Sequence, residues 1–329
     1  MLERILKFSI RRRWVVLMAT LAVAVLGMYN YQKVPIDAIP DIINVQVQIN
    51  TEAPGYSPFE VEQRITFPIE MAMAGMPRLT ETRSLSRYGL SQVTVIFQDG
   101  MDIYFARQLI NERIQEIKGK LPSAIEPIMG PIATGLGEIF MWTVEPKAGA
   151  LKEDGTPFTS TDLRTIQDWV VRPQLRNIPG VTDVNTIGGY EKQYHVTPYP
   201  DKLIAYGLSF HDVLQALARN NANVGAGYIE HSGEQYLIRT PGQVADIEDI
   251  RHIIIGSHKG VPIYIKDVAE VLLGKELRTG AATENGKEVV LGTVFMLIGE
   301  NSRTVSRRVA EKMIDVNRTL PEGIVAKTI

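Results

Sequence analysis

The sequence predicts an α+β protein that follows a single apolar helix near the N-terminus. Residues 14–28 carry no charged side chain, whereas the rest of the 329-residue chain has the mixed composition of a globular protein. Beyond the apolar segment, strand and helix patterns follow one another in the order strand, helix, strand, strand, helix. The same order starts again in the C-terminal half, where a long insertion interrupts it. These observations define the fold class.

The apolar segment has the features of a transmembrane helix. A helix needs about 20 residues to cross the hydrocarbon core of a bilayer. Trp14 at one end and Tyr31 at the other can lie at the level of the lipid headgroups, which extends the usable length of residues 14–28. Three arginines at positions 11–13 precede the segment. This excess of positive charge predicts that the N-terminus stays in the cytoplasm and that the remainder lies across the membrane.

A cleaved signal peptide is the alternative interpretation of the same segment. The residues Ala22, Val23 and Ala24 would then form the small-residue cleavage site. The apolar run continues through residues 25–28, however, where a cleavage region would turn polar. This continuation favours a retained anchor, and both interpretations export the rest of the chain.

The composition excludes several classes of function. A net charge of −2 leaves no surplus of basic residues for binding nucleic acid. The chain has no cysteine, which excludes disulfides and thiolate metal sites. Its five histidines are scattered, and no hydrolase or nucleotide-binding motif is present. The sequence therefore predicts neither an enzyme nor a bound cofactor.

The first α+β unit follows the anchor. Ser57 is the predicted N-cap of its first helix, with Pro58 at the first helical position and Glu60 completing a capping box. The predicted elements are a strand around 45–50, a helix at 57–74, strands near 79–86 and 92–97, and a helix at 102–121. This order is the split βαβ, ferredoxin-like pattern. Residues 139–144, or a strand close to them, could supply its last strand.

The spacing of the prolines that end the helices predicts a second unit with an insertion. Pro77 and Pro122 lie 45 positions apart, whereas Pro179 and Pro321 lie 142 positions apart. The second unit consists of a strand at 138–144, a helix at 161–177, strands at 181–187 and 288–297, a helix at 302–319 and a strand at 323–329. Residues 188–274 fit the insertion, with strand, helix and hairpin patterns of their own.

Two carboxylates stand out as candidate cation ligands. Glu138 follows the turn at 135–137 and precedes an apolar run, and Asp168 lies in the middle of the predicted helix. A carboxylate among apolar residues is costly unless it is paired or binds a cation. The alternative is that Glu138 is a surface residue and that Asp168 lies on the wet face of its helix, between Arg164 and Arg172.

Several long segments closely resemble the heavy-metal efflux branch of the resistance–nodulation–division (RND) pumps. The segments include VPIDAIPDI, APGYSPFEVEQRITFPIE, SLSRYGLSQVTVIF, TGLGEIF, IQDWVVRPQLRNIPGV and NVGAGYIE. The resemblance covers essentially the whole chain, which is similar to the N-terminal third of such a pump. It implies a cytoplasmic N-terminus and transmembrane helix at 1–32, a first porter subdomain at 33–134, a second porter subdomain at 135–187 and 275–329, and an inserted docking lobe at 188–274.

The function that the resemblance implies is proton-driven export of metal cations from the bacterial inner membrane. The bulk of the chain would lie in the periplasm, in a homotrimer that works with a periplasmic adaptor and an outer-membrane channel. The proton-relay carboxylates and the methionines of the copper and silver pumps would lie beyond this chain.

The resemblance also assigns expected roles to individual residues. Copper and silver pumps tend to have an aromatic residue after the Gly-Leu-Gly turn, so Glu138 there, with Asp168 nearby, resembles the divalent zinc, cobalt, nickel or cadmium pumps. Carboxylate oxygens suit such cations, whereas Cu(I) and Ag(I) prefer thioethers. The expected subunit-docking residues are Asn221, Asn223, Val224, Gly225 and Gly227, in a hairpin that would reach into the next subunit. The alternative is an ordinary surface hairpin.

Other functions are compatible with the sequence. A copper or silver RND pump would place its thioether ligands outside this chain, and a drug-exporting RND pump would have an aromatic-rich pocket near Glu138. A membrane-anchored periplasmic binding or assembly module would not transport at all.

Overall fold

The computed structural model describes residues 8–33, 44–123, 125–132, 137–221, 224–231, 234–240, 242–276 and 280–329. The chain forms two compact units. The first consists of Met1–Thr143, Asp168–Thr186 and Leu291–Ile329, and the second of Val144–Gln167 and Ile187–Val290.

The predicted apolar helix is present as α1, Arg13–Lys33. Within the described residues it is the one helix long and apolar enough to cross a membrane, with its apolar stretch at Arg13–Tyr31. Apart from the partly buried Val16, the side chains of residues 13–31 are exposed, and the large apolar ones include Trp14, Leu21 and Leu26. An exposed apolar surface of this size suits a lipid environment better than water.

The first sheet contains four strands in the order β2-β3-β1-β4, and β3 and β4 both pair with β1 in antiparallel orientation. Its strands are β1 (Gln46–Glu52), β2 (Leu79–Arg87), β3 (Leu90–Phe97) and β4 (Pro127–Met129). The sequence predicts that apolar and polar side chains alternate between the two faces at residues 45–50. The structure confirms this, since Val47 and Ile49 are buried and the residue between them is not. Residues 139–144, the first candidate for the last strand, belong instead to the second sheet.

Two helices cover the buried face of this sheet. Helix α2 comprises Pro58–Val61, a π-helical turn at Glu62–Thr66, and Phe67–Met73; helix α3 is Ile103–Ile117. Ser57 and Glu60 form the predicted capping box, and Asp102 caps α3 through the N–H of Phe105. The apolar core includes Ile49, Ile65, Ile69, Met73, Val93, Val95, Phe97, Ile110 and Ile114.

The second sheet has the order β13-β14-β5-β15, and β6 also pairs with β14. Its strands are β5 (Glu138–Pro146), β6 (Val181–Ile187), β13 (Ala282–Glu284), β14 (Lys287–Met296) and β15 (Ile324–Thr328). Its helices are α4, which comprises Ser160–Ile166, a π-helical turn at Gln167–Val171 and Arg172–Arg176, and α9, Ser302–Thr319. Asn317 of α9 bonds to both backbone groups of Ala326 in β15 and so fixes this helix against the strand.

Apart from the strands of the second sheet, the described residues of the second unit form three antiparallel strand pairs. These are β7 (Lys192–Pro198) with β12 (Ala269–Lys275), β8 (Val224–His231) with β9 (Glu234–Thr240), and β10 (Ile254–His258) with β11 (Val261–Tyr264). The helices are α5 (Pro200–Tyr206), α6 (Phe210–Arg219), α7 (Ile247–Arg251) and α8 (Ile265–Val268). Two small apolar clusters, around Ile265 and around Val213, hold these elements together.

Three of the helices begin with a capping box whose carboxylate has a lowered pKa. Hydrogen bonds from the hydroxyl and backbone N–H of Ser57 lower the pKa of Glu60, and the same bonds from Ser209 lower that of Asp212. Burial raises the pKa of Asp162, but bonds from Thr159 and Lys152 outweigh it, so the pKa lies below its usual value.

Replacing Thr159 by alanine is expected to lower the free energy of unfolding by about 1 kcal/mol at neutral pH. Because the folded pKa of Asp162 is depressed, the contribution of this cap is present above the unfolded pKa of about 4 and is lost as the pH falls through the folded value. The difference in stability between Thr159→Ala and the wild type should therefore shrink in acid. Thermal unfolding of both purified chains across this pH range measures it, and a difference independent of pH would contradict the role of the cap.

Candidate metal site

Glu138 lies at the start of the second sheet's strand β5, next to buried aromatic rings. Alternate residues of a strand share one face, so Glu138 is on the same face as Phe140 and Trp142. Both rings are buried, whereas Glu138 is exposed. The carboxylate therefore remains hydrated in this chain and does not incur the cost of burial that the apolar run suggested. Residues 135 and 136 of the preceding turn lie outside the described part of the chain.

Asp168 lies in the π-helical turn of α4 and is held by a side chain from strand β6. The hydroxyl Oγ1 of Thr186 donates a hydrogen bond to Asp168 Oδ1 at 2.6 Å. Both residues are partly buried. The next residue, Trp169, is 79% exposed.

Strand β6 also carries a second carboxylate, Asp183, which is paired with arginine. Arg172 approaches Asp183 Oδ1 at 3.4 Å and Arg176 at 3.8 Å, and the N–H of Val184 donates to the same oxygen at 2.8 Å. Arg172, one of the two arginines that could have paired with Asp168, therefore pairs with Asp183. Two guanidinium groups neutralise this carboxylate, which makes it a structural partner rather than a cation ligand.

The described residues do not contain a complete metal site. No group of three or more histidine, aspartate or glutamate side chains among them could hold a metal ion. Glu138 and Asp168 each offer carboxylate oxygens, which hard and borderline divalent cations accept. The two residues are therefore candidates for part of a coordination sphere, and further ligands would have to come from outside the described residues.

The hairpin predicted near residues 224–239 is present as β8 and β9. Its register pairs Val224 with Thr240 and Gly225 with Arg239, and then shifts before Tyr228. Gly227 lies at this irregularity with a φ of 87°, a conformation that favours glycine. Asn221 Oδ1 accepts a hydrogen bond from the N–H of Val244 at 3.3 Å, which ties the start of the hairpin to the body of the unit. Asn223 lies outside the described residues.

Comparisons with known proteins place the chain in a transporter family. A model of the AcrB/AcrD/AcrF family matches residues 5–329. The chain is 68% identical over its 329 residues to the protein HelA of Legionella pneumophila, and 66% identical to the cobalt-zinc-cadmium resistance protein CzcA of Cupriavidus metallidurans. In both cases the match covers 100% of this chain and 31% of the relative.

A solved structure has the same fold. The crystal structure of a heavy metal efflux pump superposes with a TM-score of 0.85 and 31% sequence identity, over 98% of this chain and 32% of the pump chain. The chain spans about a third of the length of the curated relatives it matches. It belongs to the AcrB/AcrD/AcrF family of RND transporters, and the relatives to which it is similar include heavy-metal efflux proteins.

Proposed function

We propose that the chain is the N-terminal third of a proton-driven pump that exports divalent cations such as zinc, cobalt, nickel or cadmium. The observation that carries this proposal is the 66% identity, over the whole chain, with a cobalt-zinc-cadmium resistance protein. The function is transport, so the chain contributes binding surfaces and mechanical elements rather than catalytic groups.

The chemistry of the candidate ligands supports divalent substrates. Glu138 and Asp168 supply oxygen, and the sequence contains no cysteine that could supply a thiolate. Zinc, cobalt, nickel and cadmium ions accept carboxylate oxygen, whereas Cu(I) and Ag(I) favour sulfur. We infer that Glu138 and Asp168 bind the transported cation together with residues beyond this chain.

The strand orders support two porter subdomains of the same kind. Each sheet belongs to a unit whose elements follow along the chain as strand, helix, strand, strand, helix, strand. In space, the second strand of the unit lies next to the third, the third next to the first, and the first next to the fourth. The first sheet shows this order as β2-β3-β1-β4, and the second as β6-β14-β5-β15. This order is that of the ferredoxin-like fold. We infer that residues 33–134 form the first porter subdomain, that 135–187 and 275–329 form the second, and that 188–274 form the docking lobe.

The assembly follows from the family and from the apolar helix. We infer that α1 spans the inner membrane with the arginines of its N-terminal side in the cytoplasm, and that the rest of the chain lies in the periplasm. Three copies would form the pump, with an adaptor and an outer-membrane channel. The β8–β9 hairpin would be the arm that docks into the neighbouring copy, with Asn221, Val224, Gly225 and Gly227 at its base and bulge.

A survival assay tests the proposed function. Cells that lack their own divalent-cation exporters would carry a full-length pump with this sequence and be challenged separately with zinc, cobalt, nickel, cadmium, copper and silver. We expect rescue on members of the divalent series and none on copper or silver. Rescue on copper or silver alone would mean that the two carboxylates are structural. The empty vector is the control.

A further inference from the structure

Among the described residues, two helices carry a π-helical turn, and in both a proline stands two positions after the end of the turn. Pro68 follows the turn at Glu62–Thr66, and Pro173 follows the turn at Gln167–Val171. Proline has no N–H, and its ring would clash with the carbonyl four residues earlier. The wider π-helical turn relieves this clash, and such turns are frequent at functional sites.

Each of these π-helical turns carries a carboxylate that accepts a hydrogen bond from a hydroxyl of the strand that follows. Ser86 Oγ donates to Glu62 Oε2 at 2.5 Å, and Thr186 Oγ1 donates to Asp168 Oδ1 at 2.6 Å. Ser86 and Thr186 are both the second-to-last residue of their strands, β2 and β6. The two pairs therefore occupy corresponding places in the two sheets.

The two pairs differ in what surrounds them. Ser86 also bonds to Thr66, which in turn bonds to the buried Ser91, so the hydroxyl beside Glu62 is part of a polar network inside the first subdomain. The pair of Thr186 and Asp168 is partly buried, as the first pair is, and the chain neighbour of Asp168, Trp169, is largely exposed. Glu62 is therefore tied into a network of hydroxyl groups, whereas Asp168 is the carboxylate that the proposed function makes a cation ligand.

We propose that Thr186 is a positioning residue for the cation ligand Asp168, a role that rests on the proposed function of the chain. Its hydrogen bond limits rotation of the carboxylate, so the ligand loses less freedom when a cation binds. Partners that orient metal ligands in this way typically account for about 10–100-fold in metal affinity.

The test uses the full-length pump, purified, with zinc binding measured by calorimetry. Thr186→Val removes the donor but keeps a β-branched side chain suited to a strand, and Thr186→Ser keeps the donor. We expect Thr186→Val to raise the Kd for Zn²⁺ by about 10–100-fold, and Thr186→Ser to stay close to the wild type. Ser86→Ala, which removes the corresponding hydroxyl from Glu62, is the matched control and should leave the Kd unchanged.

Two further measurements separate positioning from a general loss of structure. In an Asp168→Ala background, Thr186→Val should cause no additional loss of zinc affinity, because the two residues act as one unit. In transport assays Thr186→Val should raise KM with little change in kcat, a split that a partly unfolded pump would not produce. Thr186→Ala serves as a second variant if Thr186→Val does not fold.

The outcomes distinguish this inference from the proposed function. If Asp168→Ala loses zinc affinity but Thr186→Val binds zinc as the wild type does, the positioning role is overturned and divalent export stands. If Asp168→Ala binds zinc normally, Asp168 is not a ligand and the positioning role falls with it. If the wild-type pump binds no divalent cation, the proposed function itself is contradicted.

Discussion

Replacing Trp142 by alanine is expected to lower the free energy of unfolding by about 3–5 kcal/mol. Trp142 is 0% exposed and is the largest fully buried side chain of the described residues. Phe140, on the same face of β5, lies with its ring tilted by 42° at a centroid distance of 6.2 Å. Removing the indole would leave a cavity that the central strand of a sheet cannot close by moving.

Thermal or denaturant unfolding of the purified chain in detergent measures this loss. Met141→Ala is the control, because Met141 lies on the opposite face of the same strand and is 37% exposed. Its effect should be much smaller, and Trp142→Phe should fall between the two. A Trp142→Ala chain as stable as Met141→Ala would contradict the burial of the indole.

Replacing Gly292 by alanine is the second change with a large expected effect. A Cβ at this position of β14 would lie 2.2 Å from Cε2 and Cζ2 of Trp142, far inside van der Waals contact. The indole is fully enclosed, so it cannot swing away at low cost. Forcing an extra carbon into a packed core typically costs about 1–3 kcal/mol. The two residues therefore form one packing unit across the sheet.

A double-mutant cycle checks this interpretation. Trp142→Leu makes room beside Gly292, so Gly292→Ala should cost clearly less in that background than in the wild type. Gly119→Ala is the control, because a Cβ there meets nothing within 4 Å. Equal costs in both backgrounds would show that the indole does not set the requirement for glycine.

The main elements of the fold were predictable because their signals are local. The helix at Ser302–Thr319 follows an Asn N-cap and buries an apolar stripe, and the hairpin loop at Asn285 and Gly286 has the residues that such a turn requires. Strand β5 was recognisable from its run of apolar residues. The proline spacing predicted an insertion at 188–274, and the boundaries of the subdomains stay predictions.

The missed elements are short or lack periodicity. Strand β4 has three residues and begins with proline, too few for an alternating pattern. Helix α5 has signals that could have revealed it, since Pro200 stands at its start and Gly207 ends it with a φ of 68°. Strand β12 carries adjacent apolar residues of which some are exposed, so its alternation is weak.

The two candidate ligands come from the sequence, and their role in binding a cation stays a prediction. Glu138 and Asp168 could be named from their neighbours in the sequence. The bond from Thr186 to Asp168, and the pairing of Arg172 with Asp183, depend on how β6 lies against α4. No local pattern determines that placement, since Thr186 is 18 residues from Asp168.

The survival of cells on zinc is the most direct test of divalent-cation export through Glu138. Cells without their own exporters would express the full-length pump as wild type and as Glu138→Ala, with equal amounts of protein in the membrane. The wild type should restore growth on zinc. Glu138→Ala should lose most of that growth, because the proposed site would lack one of its oxygen ligands. Equal zinc resistance in the two strains would contradict the role assigned to Glu138, and no resistance in either would contradict divalent export.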